Sequence, residues 1–362
     1  MAETPSRYLL FPGGMPESLS LMSTLTRARN GVVGASSIVN DASISLYEHW
    51  TFLPLVNAPE FKAELLRVIA EHGITAVYCP HTAIGQHLKS MAARGDLQVE
   101  LVVEEFARRS TEHQNSVLAR VKQYEELPLV LDARAQAPAL STLQKTSLII
   151  HALRAEGQSN DDKLLAMIEV ARSCPQGDMV EIGTFWGRSA MMLAMLNQHY
   201  PTGNLLCIDP WTNDGAIQPG VDEHVNDVAR MLDFESAFTG FILNLFAFSG
   251  GGAVNYVRAN AVDVAPRYVP GFTVTTQSFG TTTYTGEIAL LHIDGNHALD
   301  AVTRDIALWM PRVKPGGWII IDDYQWAFGD GPHVAADLWM ENNHTRVQCA
   351  FATGSALFIQ LK

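Results

Sequence analysis

Cysteines, cations and long apolar runs are all scarce in this sequence, and each shortage removes a class of protein. Its four cysteines, Cys79, Cys174, Cys207 and Cys349, stand far apart. That spacing builds neither a zinc site nor a disulfide framework, so they read as core residues. No apolar stretch reaches the roughly 18 residues of a membrane span. Residues 1–7 lack the basic stretch and apolar core of a secretion signal. The expectation is a cytoplasmic protein with no membrane partner. Against 38 Asp and Glu there are only 25 Lys and Arg, a formal charge of −13. Such a balance repels phosphate backbones, which speaks against a nucleic-acid substrate, and attracts a polycationic one. Internal repeats and low-complexity tracts are absent as well. What is present is 362 residues, 47% of them apolar, enough for two cores.

Residues 1–135 read as a smaller α/β domain. A strand at 8–11 runs into Pro12-Gly13-Gly14, a short strand follows at 32–34, and a helical pattern at 61–72 leads to a strand at 76–79. Residues 81–94 and 97–103 repeat the alternation, which implies a parallel sheet. This part is similar to the small nucleotide-fold domain that precedes ATP-grasp modules, but no such module follows. A scaffold role, or contact with a pathway protein, is therefore expected ahead of nucleotide binding at Gly13-Gly14. A polar helix at 111–123 and a linker at 128–138 close the domain.

Two later segments carry chemistry. In Val180-Glu181-Ile182-Gly183-Thr184-Phe185-Trp186-Gly187 an apolar strand ends in a glycine turn, and helix formers continue from Ser189. Missing side chains there let a ligand approach the backbone, although the spacing is not that of the dinucleotide fingerprint. The strand 205–208 then ends in Asp209, about 20 residues on, where an acid holds ribose hydroxyls or simply caps the strand before Pro210. The second segment is Leu291-His292-Ile293-Asp294-Gly295-Asn296-His297, followed by a helical pattern at 298–310, the turn Pro315-Gly316-Gly317 and the strand 318–321 before Asp322-Asp323. Strand, helix and strand of these lengths make a right-handed parallel crossover. Asp294 and Asp322 then share one sheet edge, where gathered carboxylates repel one another unless a cation sits among them. A solvated strand end at Asp322-Asp323, with His297 as a helix cap, is the plainer alternative.

Between these segments lies an unusually long connection, 211–255, carrying Asp214, Asp222, Glu223, Asp227, Asp233 and Glu235. It reads as a partly helical substrate lid. Its apolar stretch 238–248 is a candidate homodimer contact. Residues 270–286 and 325–333, the latter with Trp326, are further candidate substrate loops, and Thr353-Gly354 marks a closing hairpin.

From about residue 160 onward the chain resembles class I S-adenosylmethionine-dependent methyltransferases, with Glu181, Gly183 and Gly187 as the E-x-G-x-x-x-G loop. The resemblance implies an α/β, Rossmann-like, seven-stranded and mostly parallel sheet in a domain at 141–362, behind the smaller N-terminal α/β domain. It implies S-adenosylmethionine as cofactor, contacted by Glu181, Gly183, Gly187, Ser189, Asp209, Asn260 and Asp294. Residues 293–297 and Asp322-Asp323-Tyr324 look like the macrocin and mycinamicin sugar O-methyltransferase branch. That likeness implies Asp294, Asp322 and Asp323 as metal ligands, magnesium being the expected ion, and His297 as base beside Asp294. Asp322 stands where a longer Glu can occur, a departure that bears on metal geometry.

A sugar hydroxyl needs a metal to lower its pKa, whereas a sugar amine near pKa 8 needs little more than one histidine. The acidic balance and acid-rich lid favour a cationic amino sugar, with the carboxylates gripping ammonium groups. The chain as a whole looks like aminoglycoside-pathway N-methyltransferases of antibiotic biosynthesis. The expectation is N-methylation of an aminoglycoside, with a metal-dependent, macrolide-type sugar O-methyltransferase as the alternative.

Overall fold

The computed structural model describes residues 6–28, 30–104, 106–126 and 137–362. The expected linker at 128–138 falls, but for its last two residues, outside them. The chain divides into two compact units, Met1–His113 and Gln114–Lys362.

In the first unit, strands β1 (Arg7–Leu10), β2 (Gly31–Ser36), β3 (His49–Phe52), β4 (Ala76–Cys79) and β5 (Glu100–Val103) form one sheet in the order β3-β2-β1-β4-β5. All its pairings are parallel. A parallel sheet is covered on both faces. Leu9, Val33, Val77 and Leu65 fill one side, and Leu10, Tyr47 and Tyr78 the other. The helix Phe61–His72 ends on Gly73 at φ 59°, the left-handed cap that glycine adopts without strain. Strand β3 escapes the hydrophobic pattern because it is a half-exposed edge strand.

The second unit holds β6 (Asp178–Ile182), β7 (Leu205–Ile208), β8 (Val254–Val257), β9 (Thr273–Thr276), β10 (Gly280–Thr283), β11 (Ile288–Ile293), β12 (Val313–Ile321), β13 (Val347–Thr353) and β14 (Ala356–Leu361). Seven of these make one sheet, β13-β14-β12-β11-β6-β7-β8. It is parallel except at β14, which returns through a hairpin turned by Gly354 and Ser355, both at positive φ. Strands β6, β7 and β11 are buried along their whole length, as apolar central strands must be when helices cover both faces. Ile293 pairs with Ile182 and Ile321, and Ile182 with Ile208. The residues that follow, Gly183, Asp209, Asp294 and Asp322, therefore stand side by side at one edge.

Helix Phe106–Glu125 spans the division between the units. Its later turns place Val117, Val121 and Tyr124 in the core of the second unit, so the boundary falls inside this helix and not in the expected linker. Residues 270–286 are not a substrate loop. They form the β9–β10 hairpin, pinned by the buried Asn255 amide on the carbonyls of Val274 and Gly280, and they stand off the cavity described below. Among the described residues no single helix is long and apolar enough to cross a membrane.

Candidate active site

The strand ends open into a cavity of about 970 Å³, lined among others by Gly183, Phe185, Asp209, Asn260, Asp294 and His297. Gly183, at φ 79°, cannot be replaced: a Cβ there would lie 2.0 Å from the Asp294 carbonyl oxygen. The glycine turn thus puts the two chemistry-bearing loops in backbone contact. Gly187, at φ 86°, starts the helix Arg188–His199, with Ser189 buried in its first turn.

Asp209 organises this cradle. Its Oδ2 accepts the N–H groups of Thr184 and Phe185 at 2.8 and 2.9 Å, and its Oδ1 that of Trp211 at 2.6 Å. Burial pushes its pKa up against those three donors. Two carboxylate oxygens offer about four acceptor positions, so little capacity remains for ribose. Asp209 is on the cavity wall as expected, but it also shapes the wall.

Glu181 does not contact the cavity, a correction to its expected cofactor role. As an inward position of the central strand β6 it is fully buried, and its Oε1 meets His292 Nδ1 at 2.8 Å. With the imidazole proton on Nδ1, that bond runs from His292 to the Glu181 carboxyl group. His292 Nε2, without a hydrogen bond, then faces Asp294 Oδ2 at 3.7 Å.

The expected carboxylates do gather, but around a cation that sequence reasoning missed. Lys163, only 1% exposed, donates from Nζ to Asp294 Oδ2 at 3.0 Å and to Asp322 Oδ2. Burial works against its charge, but Asp294 and Asp322 outweigh it and raise its pKa. Burial likewise opposes ionisation of Asp294, yet Lys163 holds it well below the usual carboxylate range. Burial, reinforced by Asp294, pushes Asp322 up.

One ligand atom each from His292, Asp294 and Asp322 lie within 4.8 Å of one another. Asp322 Oδ1 is buried without a partner. Two carboxylates and one imidazole nitrogen make a donor set that suits a divalent cation, although Lys163 Nζ stands between the two carboxylates. Asp323, expected as a third ligand, stands outside that group. It adopts φ 52° and turns its Oδ2 to His297 Nε2 at 3.4 Å.

His297 lines the cavity, with Nε2 3.8 Å from Asp294 Oδ1 and its ring 5.0 Å from that of Trp326. Neither ring nitrogen makes a hydrogen bond. Burial lowers its pKa, but Asp294 and Asp323 prevail and raise it. Its backbone is tied to the lid: His297 N donates to Gln218 Oε1 at 3.0 Å, and Asn296 Nδ2 to the Ile217 carbonyl at 2.7 Å.

The lid is helical over Asn213–Ala216, Glu223–Met231 and Phe234–Leu245. Its first half lines the cavity, while Phe241 and Leu245, within the expected dimer stretch, are buried in the domain's own core. Most of its acids are engaged. Glu223 and Asp227 pair with Arg230, Glu235 with Arg258 and Asp222 with His224, and Asp233 caps a helix. Asp214 lines the cavity. Trp326 and Phe328 line it too, as the third candidate loop proposed.

Lys163 and His292 left a faint signal in the sequence. Lys163 occupies the helix row that continues with Ala166, Met167 and Val170, and His292 lies between Leu291 and Ile293; all are buried. A polar residue in a core-facing position needs a partner.

Residues 180–324 match the family described as a methyltransferase domain. A 4'-O-methyltransferase of Streptomyces olivaceus, acting on 8-demethyl-8-(2,3-dimethoxy-alpha-L-rhamnosyl)-tetracenomycin C, is 30% identical over 152 residues, covering 41% of this chain and 53% of the relative. The chain spans about half the length of that curated relative. Among solved structures, the calicheamicin methyltransferase CalS11 is similar at 16% identity and a TM-score of 0.40, over 68% of this chain and 91% of its own. The O-methyltransferase NovP is similar at 14% identity and 0.38, over 70% and 99%.

Proposed function

We propose that the chain transfers the methyl group of S-adenosylmethionine to a sugar hydroxyl of a glycosylated secondary metabolite. The observation that carries this reading is the group of buried carboxylates set beside His297 on the cavity floor, an arrangement suited to a weakly acidic acceptor. The activity of the Streptomyces olivaceus relative, O-methylation of a rhamnosylated compound, supports oxygen over nitrogen. The lid supports it too. The acids that favoured a cationic amino sugar are mostly engaged with Arg230, Arg258 and a helix end, which weakens the aminoglycoside reading.

The cofactor supplies an electrophilic methyl group on a sulfonium. The Gly183–Gly187 turn and the Asp209-held backbone orient it, with Asn260 on the same wall. Phe185, Trp186 and Trp326 exclude water from the cavity. His297 takes the hydroxyl proton at Nε2, and the flanking Asp294 and Asp323 stabilise the imidazolium that forms. With Lys163 drawn back from between them, Asp294 and Asp322 together with His292 would hold a divalent ion such as magnesium, which would lower the pKa of a bound hydroxyl.

The test is incubation of the full chain with labelled S-adenosylmethionine and a panel of rhamnosylated polyketides, macrolides and aminoglycosides. The expected product carries label on a deoxysugar oxygen, lost with chelator and restored by Mg²⁺. Label on an aminoglycoside nitrogen, indifferent to chelator, would replace this reading with the amine one.

A further inference from the structure

One acid on the cavity wall takes no part in the chemistry above. Helix Leu299–Trp309 turns Val302, Asp305, Ile306 and Trp309 inward, so Asp305 stands in an otherwise apolar row and is only 7% exposed. No hydrogen bond reaches its carboxylate among the described residues, and burial raises its pKa to about 7, with Arg304 lowering it only in part. An acid left unpaired at that depth is costly unless a ligand pairs with it.

Its surroundings define the ligand. Oδ2 lies 3.9 Å from where a Cβ on Gly295 would stand, an ordinary contact distance, so the carboxylate reaches the loop that follows Asp294, and both Asp305 and Gly295 line the cavity. Ala261 and Val262, next to Asn260 and one strand over from Asp209, line the same cavity, and Ala301 lines it from the helix that carries Asp305. Small apolar walls with one acceptor at the end make a slot for a flat heteroaromatic ring carrying an amino group on its edge.

We propose that Asp305 accepts a hydrogen bond from the exocyclic amino group of the cofactor's adenine and so selects adenine over other bases. This rests on the S-adenosylmethionine reading. In its neutral form the acid also donates to the adjacent ring nitrogen, so both polar positions of that edge are met.

Calorimetry on the full chain compares S-adenosylhomocysteine with its 6-deamino analogue, in which hydrogen replaces the amino group. Wild type is expected to prefer the amino compound by about tenfold or more, the value of one buried hydrogen bond. Asp305→Leu should bring the two affinities within about twofold of each other. Asp305→Asn, whose amide still accepts and donates, should keep the preference, whereas a merely structural role would weaken both ligands alike. Should Asp305→Leu fail to fold, Asp305→Ser is read in the same way. An equal preference in wild type, or one unchanged in the Leu or Ser variant, overturns the assignment. Wild type that binds neither compound overturns the cofactor reading, and this inference with it.

Discussion

Above the cavity the lid carries Asp222, Glu223, Asp227 and Glu235, and beneath it the strand ends carry Asp294, Asp322 and Asp323. The lid acids meet Arg230, Arg258 and His224 in open solvent. The floor acids meet Lys163, His292 and His297, all buried or nearly so. Attraction that water screens to little on the lid acts at low dielectric on the floor, where each unpaired charge also carries a large desolvation cost. Counting acids along the chain drew attention to the lid. Burial in common is what singles out the floor.

The comparison is tested most severely at His297. His297→Ala should lower kcat by roughly 10²- to 10⁴-fold while leaving S-adenosylhomocysteine affinity near wild type in calorimetry. Near-normal turnover would make the floor as dispensable as the lid. Next comes Lys163→Met, which strands Asp294 and Asp322 without their ammonium. Denaturant unfolding should show a loss of about 3–5 kcal/mol, since one partner of a buried pair has been removed. Added Mg²⁺ or Mn²⁺ should restore part of it. Equal stability in wild type and variant would mean that the ammonium is not what holds the floor together.

Asp305 sharpens the comparison, being buried without a salt bridge. Its folded pKa of about 7 lies above the unfolded value near 3.9, so the folded state binds the proton more tightly. Stability therefore falls as pH rises from about 4 to 7, by at most about 4 kcal/mol from this group, and is flat on either side. Asp305→Asn should flatten that part of the stability curve, as urea titrations from pH 4 to 8 would reveal. The smallest effect belongs to the lid. Glu223→Gln should leave kcat/KM within about twofold of wild type and Tm unmoved, because exposed pairs contribute little. A large loss there would return the lid acids to the substrate.

Much of the scaffold was legible because it obeys period and punctuation. The strands at 180–182, 205–208, 288–293 and 318–321 are apolar runs ending in glycine or acid, and Thr353-Gly354 marked the hairpin between β13 and β14. Gly183, Asp209, Asp294 and His297 were legible for the same reason, as they follow strand ends. Lys163 was not, since it comes from the helix Asp161–Ala171, 131 residues before Asp294, and only the fold joins them. Glu181 was misdirected by the motif it belongs to: side chains alternate along a strand, and its place in the register is opposite His292. Strand β3 and the β9–β10 hairpin lack apolar runs, being an edge and a Thr-rich pair, so composition hid them.

The bonds from Gln218 and Asn296 make the lid and the base parts of one mechanical linkage. Gln218 is itself held by Asn226 on helix Glu223–Met231, through N to Oδ1 at 2.8 Å and Nδ2 to O at 3.2 Å. A tilt of that helix is therefore passed through two side-chain amides to the peptide of His297. On the other side, a Cβ on Gly331 would lie 2.1 Å from the His297 carbonyl oxygen, so the loop has little room to recoil. The position of that helix and the aim of the imidazole are in this arrangement a single degree of freedom. Substitutions on the outward face of the lid leave these bonds in place, whereas an insertion between Ile217 and Asn226 would shift the His297 peptide and its ring with it.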